Sequence, residues 1–172
     1  MNNLLKHLKG GDLRSIAEAN KAVSLIKTQK DFDELFNLLF SKDRLIVMRA
    51  ADAIEKITLK NPEYLEKYNQ ELINLINNAV DKELKWHLAL IAPRLNLTID
   101  ESIIVWRKLT NWAKDKNESK IVRVNSIQAL FDLANKNEEL KKDFDLTIQE
   151  IETENIPSIK ARLKKIGCQK QK

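Results

Sequence analysis

Between residues 31 and 60 the chain reads DFDELFNLLFSKDRLIVMRAADAIEKITLK, with apolar positions at helical spacing on both sides of a short polar break. Phe32, Leu35, Phe36, Leu38 and Leu39 share one face of a first helix. Asp31 stands where a cap belongs, and Glu34 three residues on completes a capping-box pattern, which predicts a helix start at residue 31. Ser41-Lys42-Asp43 interrupts the pattern, and a second helix follows with Ile46, Ala50, Ala53, Ile54 and Ile57 inside. Two amphipathic helices joined by a three-residue turn make an αα-hairpin. Neither can bury its face alone, so the hairpin predicts neighbours of its own kind.

The second helix does recur. With Val47 as position 0, small or apolar residues at relative positions −1, 3, 6, 7 and 10 return with position 0 at Ile16, Lys85, Arg123 and Lys160. These anchors lie 31, 38, 38 and 37 residues apart. Position 3 reads Ala19, Ala50, Leu88, Ser126, Leu163; position 6 reads Ala22, Ala53, Ile91, Ala129, Ile166. Small residues there let consecutive helices approach closely. The punctuation agrees: Asn61-Pro62 and Thr98-Ile99-Asp100-Glu101 open helices, Pro157 opens the last, and Gly167 is placed as its C-cap. Ten helices are predicted, over 2–9, 12–28, 31–40, 43–59, 62–79, 83–95, 99–115, 118–135, 138–154 and 157–166.

On these residues the chain resembles HEAT-repeat proteins. Val122-Arg123 followed by Ser126 and Ala129-Leu130 is similar to the family's second-helix signature, and Asp43 and Asp81 sit where the family often carries an intra-repeat aspartate. Val47 stands in place of the arginine in the clearest repeat, and Pro93 falls late in the third second helix. The resemblance, over about residues 12 to 166, implies an all-α fold. The expected form is a right-handed α-α superhelix, a HEAT-like solenoid of about five helix pairs. The expected organisation is a single domain over 1–167 with a basic flexible tail over 168–172.

Composition narrows the function classes. The 172 residues include 43% apolar and 32% charged side chains, with three Gly and three Pro, which suits a folded helical protein. No apolar run approaches a membrane span, and the N-terminus lacks the apolar stretch of a signal peptide. One cysteine, Cys168, excludes an internal disulfide and fits a reducing compartment, so a cytoplasmic location is expected. His7, His87 and Cys168 are too dispersed for an ordinary zinc site, so no metal and no cofactor is expected. No Gly-rich phosphate loop, nucleophile elbow or paired acid and base is visible. The chain reads as a non-catalytic binding module, by default a monomer.

Net charge is +5, with basic residues gathered in the second helices and the last segment, and acidic residues in the first helices. The resemblance implies that second helices line a concave binding face. At 100° per residue, positions 2, 5 and 9 of each fall together opposite the core. The candidate binding residues are Arg49, Asp52, Lys56, His87, Arg94, Asn125, Gln128 and Arg162 at these positions, with Trp86 beside them at position 1 and Arg123 at position 0. Trp86, His87 and Arg94 offer a stacking surface beside a cation, whereas Trp106 and Trp112 are expected in the core. A basic face favours an acidic protein or peptide as partner. The alternative is nucleic acid, with the HEAT-like alkylpurine DNA glycosylases as its enzymatic branch; Asp52 and Asp132 are the nearest equivalents of their aspartate.

Overall fold

A computed structural model describes residues 4, 6, 8 and 16–170. The described residues are all-α and divide into two compact units, Met1–Tyr68 and Asn69–Lys172. In the first, α1 (Ile16–Leu25), α2 (Gln29–Asn37) and α3 (Arg44–Thr58) are followed by a 3-10 segment, Pro62–Tyr68. In the second, α4 (Asn69–Asn78), α5 (Lys82–Ile91), α6 (Ile99–Lys114), α7 (Lys120–Lys136), α8 (Lys141–Glu152) and α9 (Pro157–Lys170) alternate as first and second helices. The predicted 2–9 helix and the start of the 12–28 helix lie mostly outside the described residues.

In the first unit the predicted hairpin forms, with Phe32, Leu35, Phe36 and Leu39 of the first helix and Ile46, Ala50, Ala53, Ile54 and Ile57 of the second all buried. Its start differs from expectation. Thr28, not Asp31, is the N-cap, and Asp31 is the third-residue partner of the box. The Thr28 hydroxyl accepts the Asp31 amide at 3.2 Å, while the Asp31 carboxylate accepts the Thr28 amide at 2.9 Å. Asp31 also accepts from the Thr28 hydroxyl and the Lys27 amide, a set of donors available only when it lies inside the first turn. Asp43 caps α3, its carboxylate accepting the Leu45 amide at 2.9 Å.

Asp33 fastens the 3-10 segment onto α2. Its carboxylate accepts from the Lys67 ammonium at 2.6 Å, the Tyr68 hydroxyl at 2.7 Å and the Gln29 amide at 2.8 Å. These donors, Lys67 first, hold its carboxyl down at about 2 instead of 3.8. A group depressed in the folded state stabilises above its unfolded value, and that contribution is lost as pH falls through about 2. The full shift corresponds to roughly 2.4 kcal/mol, but solvent reaches the carboxylate, so about 1 kcal/mol is expected. Asp33→Asn should therefore lower stability by about that amount at neutral pH and narrow the gap to wild type as unfolding is repeated at lower pH. A gap of constant size from pH 7 down to about 2 would refute the ionic part of this clamp.

In the second unit α7 sits centrally, packed against α5, α6, α8 and α9. It is buried on three sides through Val122, Ser126, Ile127, Ala129, Leu130, Phe131, Leu133 and Ala134. Ser126 and Ala129 lie at the predicted close-approach positions and are fully buried, as are Ala50, Ala53 and Leu88 at theirs. Thr98 and Glu101 form the predicted capping box on α6. Trp106 and Trp112 are core residues as expected; the Trp106 indole also donates to Asp143 of α8 at 2.6 Å.

Several helix bounds differ from the sequence reading: α1 ends at Leu25 instead of 28, the predicted 62–79 helix is the 3-10 segment Pro62–Tyr68 followed by α4, and the predicted 138–154 helix opens with a 3-10 turn, Glu138–Leu140. α5 stops at Ile91 and passes into a 3-10 turn, Ala92–Arg94, because Pro93 has no N–H to give and its ring crowds the carbonyl four residues back. α9 runs through Gly167 to Lys170 instead of ending at 166. A Cβ at Gly167 would meet nothing within 4 Å, so nothing at that position forces a left-handed cap. The part of the predicted tail at residues 171–172 lies outside the described residues.

Candidate functional site

The basic residues at position 0 of the repeat carry the first surprise. Arg123 of α7 is 2% exposed; its Nε donates to the Ala113 carbonyl at 2.8 Å, and its two terminal nitrogens donate to Glu154 at 2.8 and 2.9 Å. Glu154 lies in the turn that leads into the next second helix, α9. The Arg123 hydrogen bonds hold its carboxyl below the usual glutamate range. Lys85 of α5 repeats the arrangement, pairing with Glu118 in the turn before α7. Both are struts between consecutive repeats in one register. Arg123 is thus a packing element, with its donors turned away from any open surface.

The second correction concerns which stripe is open. Arg49, His87 and Asn125, three of the expected position-2 residues, are 1%, 6% and 8% exposed. Arg49 is engaged inside the first unit, donating to the Leu8 carbonyl at 3.2 Å. Within the second unit α7 is flanked by the second helices α5 and α9 and backed by the first helices α6 and α8, so one narrow stripe stays accessible. That stripe is rotated by one residue from the expected one, to positions 1, 5 and 9. It reads Met48, Asp52, Lys56 on α3; Trp86, Leu90, Arg94 on α5 and its 3-10 extension; and Val124, Gln128, Asp132 on α7. On α9, Arg162 is half-buried while Ala161 and Lys165 are exposed.

Of the ten candidates, Asp52, Lys56, Trp86, Arg94, Gln128 and Arg162 therefore reach the surface in part. On α3 the charges satisfy each other: Lys56 donates to Asp52 at 2.7 Å and to Asn20 at 2.9 Å. On α5 the Trp86 ring stands edge-on to His87, with centroids 5.3 Å apart. Across α7 and α9 a hydrogen-bonded chain forms, Arg162 donating to Gln128 at 2.7 Å and Gln128 donating to Asp132 at 2.8 Å. Lys136 donates to the Pro93 carbonyl at 2.5 Å and, with Arg162 and Arg94, surrounds Asp132 with positive charge. Burial nevertheless pushes the Asp132 carboxyl upward, against Gln128 and these three cations.

The sequence reading named neither Lys136 nor Arg162 as a neighbour of Asp132. A helix-wheel projection supplies the angle of a residue on its own helix, but the partner came from the next helix. Among the described residues no helix is long and apolar enough to cross a membrane.

The HEAT repeat domain model covers residues 2–170. The chain belongs to the HEAT-repeat family. No curated protein and no solved structure matches it. HEAT repeats are helical scaffolds often used in protein interaction.

Proposed function

We propose that the chain is a non-catalytic cytoplasmic adaptor. It holds an acidic protein or peptide on the open stripe of α5, α7 and α9. The observation that carries this reading is the make-up of that stripe. Aromatic and aliphatic carbon from Trp86, Leu90 and Val124 lies beside Arg94, Arg162 and Lys165, with a single carboxylate, Asp132, among them. Apolar contact supplies the attraction that area gives, and a stripe mainly of one sign selects the partner. Arg162 is held in place by Gln128, so less of its rotamer freedom remains to be lost on binding.

The test is fluorescence polarisation with labelled amphipathic peptides, matched in sequence except for glutamate or lysine on the polar face. Micromolar binding of the acidic series is expected. Arg94→Glu with Lys165→Glu should weaken it about tenfold or more, with the melting temperature little changed. Equal binding of both series, or indifference to the double reversal, would sink the stripe as the site. Lys160, Lys164 and Lys165 stand exposed on α9, which favours nucleic acid as the second reading. Labelled DNA or RNA that binds at about 50 mM salt and releases at about 200 mM would support that reading instead.

A further inference from the structure

We propose that Asp132 is the specificity-determining residue of this stripe: an intramolecular counter-ion among Arg94, Lys136 and Arg162 that admits only segments carrying several carboxylates. The inference rests on the acidic-partner reading and names the residue that would tune it.

Three observations place Asp132 in that role. It is half-buried at the open edge of α7, where its hydrogen bond is the one from Gln128 at 2.8 Å. Gln128 cannot swing away, because its carbonyl oxygen is held by the Arg162 guanidinium at 2.7 Å. The cations that face the carboxylate come from three elements: Arg94 from the 3-10 turn, Lys136 from α7 itself and Arg162 from α9. Each lowers the carboxylate's energy from a distance, while the hydrogen bond comes from a neutral amide. The arrangement therefore stores positive potential that a single internal carboxylate offsets in part. A partner with one acidic residue gains little over Asp132. A partner with several gains from all three cations at once.

Burial already works against the ionised form of Asp132, and a polyanion seated beside it would do so further. Binding of an acidic segment should accordingly draw a proton onto Asp132, and should strengthen as pH falls towards about 5. The glutamates of a run repel one another and titrate above their ordinary value of about 4.3, so the contribution of Asp132 is read from the difference between wild type and Asp132→Asn with the same probe.

The probe is a fluorescein-labelled decaglutamate peptide, titrated against the full chain at low salt at about pH 5 and 7.5. Asp132→Asn keeps the shape and the acceptor for Gln128 while removing the charge. It should bind decaglutamate roughly 3- to 10-fold tighter at pH 7.5 and show a flatter pH profile than wild type. Asp132→Glu should restore the wild-type affinity and profile. His87 is present in all three proteins, so any pH dependence it contributes is common to them. If Asp132→Asn binds like wild type while Arg94→Glu with Lys165→Glu still weakens binding, this inference is overturned and the acidic-partner reading stands. If none of the variants binds decaglutamate or differs in binding the acidic amphipathic peptides, both are overturned.

Discussion

Arg123→Ala is expected to lower stability by about 3 kcal/mol. The substitution removes a buried guanidinium that makes three hydrogen bonds, one to the Ala113 carbonyl and two to Glu154. Removing one partner of a buried pair typically costs 3–5 kcal/mol, because the other is left with its desolvation uncompensated. Glu154 keeps 13% side-chain exposure and can recover some hydration, which places the estimate at the lower end. A double-mutant cycle with Glu154→Ala separates the strut from simple loss of volume. The coupling between the two positions should be at least about 1.5 kcal/mol by urea unfolding. Tryptophan fluorescence suits the measurement, since Trp86, Trp106 and Trp112 all belong to the Asn69–Lys172 unit. A cost below about 1 kcal/mol would show that Arg123 is a solvated residue after all.

Phe32→Ala should cost about 4 kcal/mol and act on the other unit. Phe32 is fully buried, and its ring lies 5.1 Å from Tyr64, 6.1 Å from Tyr68 and 6.3 Å from Phe36, centroid to centroid. It joins α2 to the 3-10 segment by carbon contact, just as Asp33 joins them by hydrogen bonds. Large-to-small changes at such aromatic positions cost 3–5 kcal/mol, combining lost transfer energy with the cavity left behind. Phe40, 56% exposed at the edge of the same ring cluster, is the control and should cost less than about 0.5 kcal/mol as Ala. Both tyrosines lie in the Met1–Tyr68 unit, so tyrosine emission follows its unfolding separately from the tryptophan signal. Similar losses at positions 32 and 40 would mean that the cluster is not the core of this unit.

The helices were legible because burial repeats. Alanines and isoleucines returning at fixed offsets from Val47, Lys85 and Arg123 located the second helices before any coordinates, and Ala50, Ala53, Leu88 and Ala129 are indeed sealed. Ends decided by one local competition were harder. Thr28 and Asp31 both can cap, and the choice between them depends on which leaves the Lys27 and Thr28 amides satisfied. The open stripe was legible only to within one residue of rotation. That single step, about 100° around the helix, separates Asn125, which is buried, from Val124, which is not. It is fixed by how closely α5 and α9 crowd α7, a tertiary quantity that no single-helix projection contains. Arg123 misled for the same reason: a basic residue in a helix signature looks identical whether its anion is a partner's or its own.

The struts also give the chain a direction. Lys85 reaches forward to Glu118 and Arg123 reaches forward to Glu154, each cation seeking its anion in the repeat that follows. The first two repeats of this unit therefore hand their successors the task of neutralising them, and a protein ended just after α8 would keep the buried Arg123 while losing Glu154. The last hairpin is in this sense a counterweight for the one before it. An array lengthened by duplication would carry the pairing along with each added copy, provided the cut falls between a turn glutamate and the basic residue that follows it.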